Sequence, residues 1–590
     1  MGAFDVVVLG GGTAGVHVAT EVAGGGKSVA LVEAGLLGGE SPYLACLPSN
    51  SLLLSAARGV TWEDAVARRT EVTGGLDDSA AARRLNRAGV TVIRGTGRIT
   101  GPGTAEVTLA PDADAEPDAD PDGVAGAGTT TTLTYSDLVI ATGCEPVAPP
   151  IEGLADIPAW TTAQSLSSPD LPRRLIVLGG GAAGCELTQV YAWFGSQVTL
   201  VEAEPALLPG EPAFAGEILA AALRRAGAEV RLGSRASKAE RTSEGLTLAL
   251  EDGTRIDADR LLLATGRRPR LGGLGLDALG LEVTPGMALP TTTRCEVAGA
   301  GGDGVGVWAA GDVTGTAFAH ASRYQAGVVA ANILGVPREA DYSAIPRCVF
   351  TTPSVFAVGA VPGATAGNAG PEVASTAGAA GPDHGPGNGA RVRRMLRIAR
   401  VPSDRTQAPT VAAGPAHGAN PADPAPGARL VTAGARLSNT TRGYLGQDDL
   451  GGVELYADAA TGVLAGAVAV GPDAASWMGE VTLAIRAKIP VTVLADVVHA
   501  FPTYGEALET ALRELAGTEG SAVRADQEKG TGTLSELDME TPEGDAIEQH
   551  QEVIADEAVA SARREVPFDV NEADAAEQER AVGFDDDDYR

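Results

Sequence analysis

Two stretches of this 590-residue chain read almost alike: "VVVLGGGTAGVHVATEVAGGGKSVALVEA" from Val6 to Ala34, and "LIVLGGGAAGCELTQVYAWFGSQVTLVEA" from Leu175 to Ala203. Each opens on an apolar run of strand length, passes a glycine turn into a helical stretch, and closes on a second apolar run ending in a carboxylate. The glycines are Gly10, Gly12 and Gly15, then Gly179, Gly181 and Gly184; the acids are Glu33 and Glu202, each 23 residues beyond its first glycine. In such a loop the first glycine permits a tight turn, the second lets a pyrophosphate approach the backbone, and the third lets helix pack on strand. The helix N-terminus turns free N–H groups and partial positive charge toward the phosphates. The carboxylate accepts hydrogen bonds from a ribose diol. A lone G-x-G-x-x-G is weak; with strand, helix and acid all in register, twice, the pattern predicts two bound dinucleotides.

A second echo supports the first. "LVIATGCEP" from Leu138 and "LLLATGRRP" from Leu261 are apolar strands ending in Ala-Thr-Gly, with Thr142 and Gly143 in one and Thr265 and Gly266 in the other. Each is expected to close a nucleotide domain beside its ligand. Further on, "VWAAGDVTGTAFAHASRYQAG" runs an apolar strand into Gly311-Asp312 and then a helix.

Composition bounds the alternatives. The length predicts two or three domains. A net charge of −32 argues against nucleic acid and anionic membrane surfaces as partners. Half of that charge falls in the segment 518–590, which holds 22 acidic and 6 basic residues. The five cysteines, at 46, 144, 185, 295 and 348, form no C-x-x-C or zinc spacing, and nothing suggests a metal site. A strand beginning at once after Met1 leaves no room for a signal peptide, and no apolar run spans a bilayer, so a cytoplasmic location is expected.

With two glycine loops, paired A-T-G strands and the G-D after "VWAA", the chain resembles the flavin-dependent pyridine nucleotide–disulfide oxidoreductases, which include dihydrolipoamide dehydrogenase, glutathione reductase and mercuric reductase. The likeness runs from Phe4 to about Leu515. "IPRCVFTTPSVFAVG" resembles the start of the family's dimerisation domain and "HAFPTYGEAL" its end. The resemblance implies an α/β fold of two Rossmann-like dinucleotide-binding domains plus a C-terminal α+β dimerisation domain. The expected boundaries are 1–150 and 271–340 for FAD, 151–270 for NAD, 341–515 for dimerisation with a low-complexity insertion at about 361–428, and 516–590 as an acidic disordered tail. It implies a homodimer with FAD on the first loop and NAD(H), rather than NADP(H), on the second. Glu33 would hold the FAD ribose; Gly97, Gly143, Asp312 and Ala319 would line other parts of the flavin, with Asp312 on the ribityl chain. Glu202 would take the nicotinamide nucleotide's ribose, and "AEPALLP" after it offers no Arg or Lys for a 2′-phosphate.

The chain departs from the family where the thiols should be. Members usually read G-G-T-C-x-x-x-G-C-x-P-S-K, part of a helix against the flavin; here "GGESPYLACLPSN" has Ser41 for the exchange cysteine, Cys46 for the flavin-side one and Asn50 for the lysine. A serine hydroxyl closes no disulfide. Glu186, the lysine's usual partner, is left without it. In place of H-x-H-P-T-x-x-E stands His499-Ala500-Phe501-Pro502-Thr503-Tyr504-Gly505-Glu506, with Phe501 where the catalytic histidine would be and Glu506 alone. Phe501 carries no proton.

The expected activity is therefore transfer of hydride from NADH to flavin and then directly to a small acceptor such as a quinone, with Cys46 and Glu506 as the residues nearest the lost relay. The alternatives are a nucleotide-binding homologue with little turnover, and an enzyme using Cys46 alone. Cys144, Cys185, Cys295 and Cys348 are read as ordinary thiols. The proline- and acid-rich piece after Leu109 and two glycine- and alanine-rich pieces in the dimerisation domain are read as surface loops, with a short strand in "RVRRMLRIARV" between the latter two and a short helix at Ile547 to Ala562 in the tail.

Overall fold

A computed structural model describes residues 2–110, 129–157, 159–300, 304–362 and 430–517. Most of the low-complexity pieces, the strand expected in "RVRRMLRIARV" and the tail beyond Gly517 lie outside these residues. The end of the first piece is corrected: Thr130–Thr132, β-branched and free of proline, enter strand Thr130–Thr134, which pairs antiparallel with Thr104–Leu109.

Short apolar runs become fully buried parallel strands, as expected when helices cover both faces of a sheet. In an eight-stranded sheet, Val6–Leu9 lies between Val29–Glu33 and Asp137–Ile140, and Gly306–Ala309 returns to pair beyond Asp137–Ile140. In a separate five-stranded parallel sheet, Arg174–Leu178 lies in the same way between Gln197–Val201 and Arg260–Leu263. The registers match: Leu9 faces Val32 and Ile140, and Leu178 faces Val201 and Leu263. One residue beyond those positions come Gly10, Glu33 and Ala141 in the first sheet, and Gly179, Glu202 and Ala264 in the second. Glycine turn, acid and A-T-G end are thus gathered at the carboxyl edge of three adjacent strands, where an open α/β sheet has its crevice.

The third sheet is antiparallel, in the order Arg347–Val349, Ser354–Gly359, Leu464–Gly471, Gly452–Asp458, Leu430–Arg436. Its side chains alternate between two cores, as a strand's period of two requires. Phe356, Val358, Leu455, Ala467 and Ala469 pack on helices Gly479–Ala487 and Gly505–Leu515. Val355, Ala357, Tyr456, Val468 and Val470 pack on Leu219 and Leu223 of helix Ala213–Arg225, which belongs to the second nucleotide unit. At that seam Arg347 and Glu211, both buried, form a two-pronged ion pair of 2.6 and 2.9 Å. Among the described residues no helix is long and apolar enough to cross a membrane.

Candidate active site

The two glycine turns are near copies in three dimensions. Gly10 and Gly179 hold φ of +105° and +108°, a left-handed conformation that glycine adopts freely. A Cβ on Gly15 would sit 1.9 Å from the Gly10 carbonyl oxygen, and one on Gly184 would sit 1.9 Å from that of Gly179, so both third glycines are demanded by the protein itself. The middle glycines are different. A Cβ on Gly12 would meet nothing nearer than Gly39 Cα at 4.0 Å, and one on Gly181 nothing within 4 Å. Among the described residues no protein atom demands glycine at either position. Helices Thr13–Gly24 and Ala182–Trp193 begin at those glycines with no side-chain cap, which leaves their first N–H groups facing outward. Glu33 accepts from the N–H groups of Gly11 and Gly35, both at 2.5 Å, and Glu202 from those of Gly180 and Glu204 at 2.5 and 2.8 Å. Each carboxylate keeps lone pairs for a diol. This donor set fits a dinucleotide at both loops.

The A-T-G ends are laced to each other. Cys144–Pro146 pairs antiparallel with Arg267–Pro269; the Thr142 hydroxyl donates to the Arg270 carbonyl, and that of Thr265 to the Val147 carbonyl, each at 2.7 Å. Here lies a cluster that sequence reasoning missed. The Cys144 thiol donates to Asp312 Oδ2 at 2.6 Å and accepts from Arg267 Nε at 2.7 Å, and the Arg267 guanidinium pairs with Glu40. Arg270 also reaches Glu40, at 3.4 Å. Burial, with the Asp312 carboxylate beside it, pushes the Cys144 thiol up to about 12, so it stays protonated and keeps donating. Cys144, read from sequence as an ordinary thiol, is a direct partner of Asp312. Gly97, on strand Val90–Gly101, makes room for Leu9: a Cβ there would lie 2.6 Å from Leu9 Cδ2. Ala319 opens helix Ala319–Ile333.

The thiol segment is not one helix. A short turn, Glu40–Tyr43, carries Ser41; the backbone breaks at Leu44 and Ala45, and a second helix, Cys46–Ala57, begins at an exposed Cys46. Asn50 turns back on this helix, its Nδ2 donating to the Cys46 carbonyl at 3.0 Å. Glu186 has other company. It accepts from the Ser49 hydroxyl at 2.7 Å and from the Phe350 N–H at 2.9 Å. No lysine pairs with it among the described residues; Ser49, one position before Asn50, takes the carboxylate together with the Phe350 backbone. Burial still holds Glu186 above the usual carboxylate range, with those two donors opposing it.

Phe501 is 73% exposed on the loop before helix Gly505–Leu515. Glu506 accepts from the Thr441 N–H at 3.0 Å through Oε2, while Oε1 is buried with no hydrogen-bond partner among the described residues. His499 anchors the loop, with Nε2 2.8 Å from Glu480.

The Pyridine nucleotide-disulphide oxidoreductase family matches residues 4–331, more than half of the chain, and its dimerisation domain matches residues 424–512. The chain belongs to this family. Among curated relatives, dihydrolipoyl dehydrogenase of Chlorobaculum tepidum is 30% identical over 533 residues, covering 86% of this chain and 96% of that protein. Dihydrolipoyl dehydrogenase 3 of Pseudomonas putida is 28% identical over 544 residues, covering 88% and 99%. Two solved structures share the fold: the HOCl-induced flavoprotein disulfide reductase RclA from Escherichia coli, at 22% identity and TM-score 0.66 over 86% of this chain and 99% of that one, and LpdA from Mycobacterium tuberculosis, at 22% and 0.65 over 87% and 100%. As a family member this chain is an FAD-dependent oxidoreductase that works with a pyridine nucleotide, and its dimerisation domain supports a homodimer. All five cysteines are free, and position 41, five residues before Cys46, is a serine.

Proposed function

We propose that this chain takes hydride from NADH and delivers it, without a dithiol relay, to a small flat acceptor such as a quinone. The observation that carries this reading is Ser41: no sulfur stands where the family's exchange thiol belongs. When bound, FAD supplies the two-electron centre between nicotinamide and acceptor. In this reading Gly10, Gly12, Gly15 and Glu33, with Thr142, Gly143, Asp312 and Ala319, hold FAD; Gly179, Gly181, Gly184 and Glu202, with Thr265 and Gly266, hold NADH. Glu202 repels a 2′-phosphate, no cation follows it before Pro209, and Arg231 on the adjoining strand is engaged with Glu229 at 2.6 Å. Asn50 adds no charge beside Cys46, and Glu186 is satisfied by Ser49 and Phe350. Phe501 offers an apolar face where the family's catalysis needs a proton carrier. Leu47 and Phe350, both exposed, extend apolar surface beside Cys46 and Glu186.

Anaerobic titration of the yellow protein with NADH tests this. The expected endpoint is one NADH per FAD, with NADPH at the same concentration leaving the flavin oxidised, and with menadione then restoring the oxidised spectrum. Uptake of a second NADH per FAD, four electrons in all, would mean a redox-active disulfide, and the proposal would fail. The exposed position of Cys46 at its helix start favours one second reading, a single-thiol route. Menadione turnover that survives Cys46→Ser excludes that route, and loss of turnover establishes it.

A further inference from the structure

Asp312 is held from above by Cys144, and the turn that carries it is held from below by one residue. Gln325, on helix Ala319–Ile333, is 0% exposed and makes three hydrogen bonds. Its Oε1 accepts from the Gly311 N–H at 2.7 Å; its Nε2 donates to the Thr314 hydroxyl at 2.9 Å and to the Tyr342 hydroxyl at 3.3 Å. The Thr314 hydroxyl in turn donates to the Gly311 carbonyl at 2.8 Å. Both polar groups of Gly311, the residue before Asp312, are therefore tied to one buried amide and its hydroxyl neighbour.

We propose that Gln325 is a positioning residue for the flavin: by fixing the Gly311–Thr314 turn it aims the Asp312 carboxylate at the FAD site. The inference rests on the reading that Asp312 binds FAD. Its physical basis is that a buried amide is a directional clamp. An apolar replacement leaves the Gly311 N–H buried and unpaired, which costs free energy, so the turn moves until that group finds a partner. Asp312 moves with it, and its 2.6 Å contact with Cys144 is lost. Nothing in the amino-acid pattern around Gln325 signals this, because its partners lie 11 to 17 residues away on two other segments, the Gly311–Thr314 turn before its helix and the stretch at Tyr342 after it.

The test is a double-mutant cycle on the full chain, read by the FAD dissociation constant and the flavin's visible and fluorescence spectra, with melting of the apoprotein as the control. Gln325→Leu is expected to weaken FAD binding about 10- to 100-fold, as loss of one or two buried hydrogen bonds would, and to shift the flavin spectrum. The cost of Gln325→Leu is expected to shrink or vanish in an Asp312→Asn background, because both act on one contact. Should Asp312→Asn itself bind FAD as the wild type does, the reading of Asp312 fails, and the inference with it. Should Asp312→Asn weaken FAD while Gln325→Leu does not, or should the two effects simply add, the inference alone fails. If Gln325→Leu does not fold, Thr314→Val decides: weaker FAD binding with a shifted spectrum supports the clamp, and unchanged binding overturns it.

Discussion

Gly181→Ala and Gly184→Ala are expected to weaken NADH binding, and with it reduction of the flavin at low NADH, in two distinguishable ways. At Gly184 the new methyl would lie 1.9 Å from the Gly179 carbonyl oxygen and 3.0 Å from its carbon, so helix Ala182–Trp193 must move off its strand. Overpacking of this kind costs about 1–3 kcal/mol and displaces the helix N-terminus that faces the phosphates. The protein should melt earlier and should lose affinity for NADH by about 10- to 100-fold, the equivalent of that cost. At Gly181 the methyl meets no protein atom within 4 Å, so stability should be unchanged while NADH binding falls as far or further. Both variants should stay yellow, since the first loop is untouched. Gly12→Ala and Gly15→Ala repeat the contrast for FAD, the first losing flavin from a stable chain and the second losing flavin and stability together. Melting curves with NADH and FAD binding isotherms for the four variants check this. Undiminished NADH binding in Gly181→Ala would show that the open face of the second loop is not where the nucleotide lies.

Arg347→Met is expected to lower stability by ~3–5 kcal/mol, the usual result of stranding one member of a buried ion pair. Arg347 and Glu211 are both nearly hidden, and Arg347 also reaches the Gly359 carbonyl at 3.3 Å. With methionine at 347, the Glu211 carboxylate would stay at the seam between the antiparallel sheet and helix Ala213–Arg225 with no cation. The double change Arg347→Met with Glu211→Met should recover most of the loss, because a packed apolar pair needs no charge balance. Urea midpoints of the three variants measure this. A single variant as stable as the wild type would mean that Glu211 finds water once Arg347 is gone, and that the seam is looser than its burial implies.

Much of the nucleotide architecture was legible in the chain because it is local. Strand, turn, helix, second strand and acid fall within 30 residues, and each part has a residue type that only one geometry explains. The A-T-G ends were legible as strands, but not that they are laced together, because Thr142 and Arg270 are 128 residues apart. The thiol segment was read as part of one helix, yet its backbone breaks at Leu44 and Ala45. The sequence shows that Glu186 has no lysine at position 50, but not that Ser49, one helical position back and 137 residues away from it, points across to it. Cys144 was set aside because a cysteine without a spacing partner carries no signal in sequence, whereas in space it bridges Arg267 and Asp312.

The amino-acid sequence by itself determined two things about this protein: that it carries two strand, glycine turn, helix, strand and acid units of the kind that suit a dinucleotide, and that position 41 bears a hydroxyl and position 501 a phenyl ring. Both follow from covalent facts, the absence of a Cβ in one case and the elements at the ends of side chains 41 and 501 in the other. Only the tertiary structure decided which groups face each other at the flavin side of the site. The Glu40–Arg267–Cys144–Asp312 chain, the Ser49–Glu186 bond and the Gln325 clamp under Asp312 join segments far apart in sequence. The first exists because the A-T-G strand ends and the turn after Gly306–Ala309 come to one edge. The other two exist because helix packs on helix, Cys46–Ala57 on Ala182–Trp193, and because helix Ala319–Ile333 folds back on the turn before it. In each place a polar group shut away from water must find whatever donor or acceptor the packing provides.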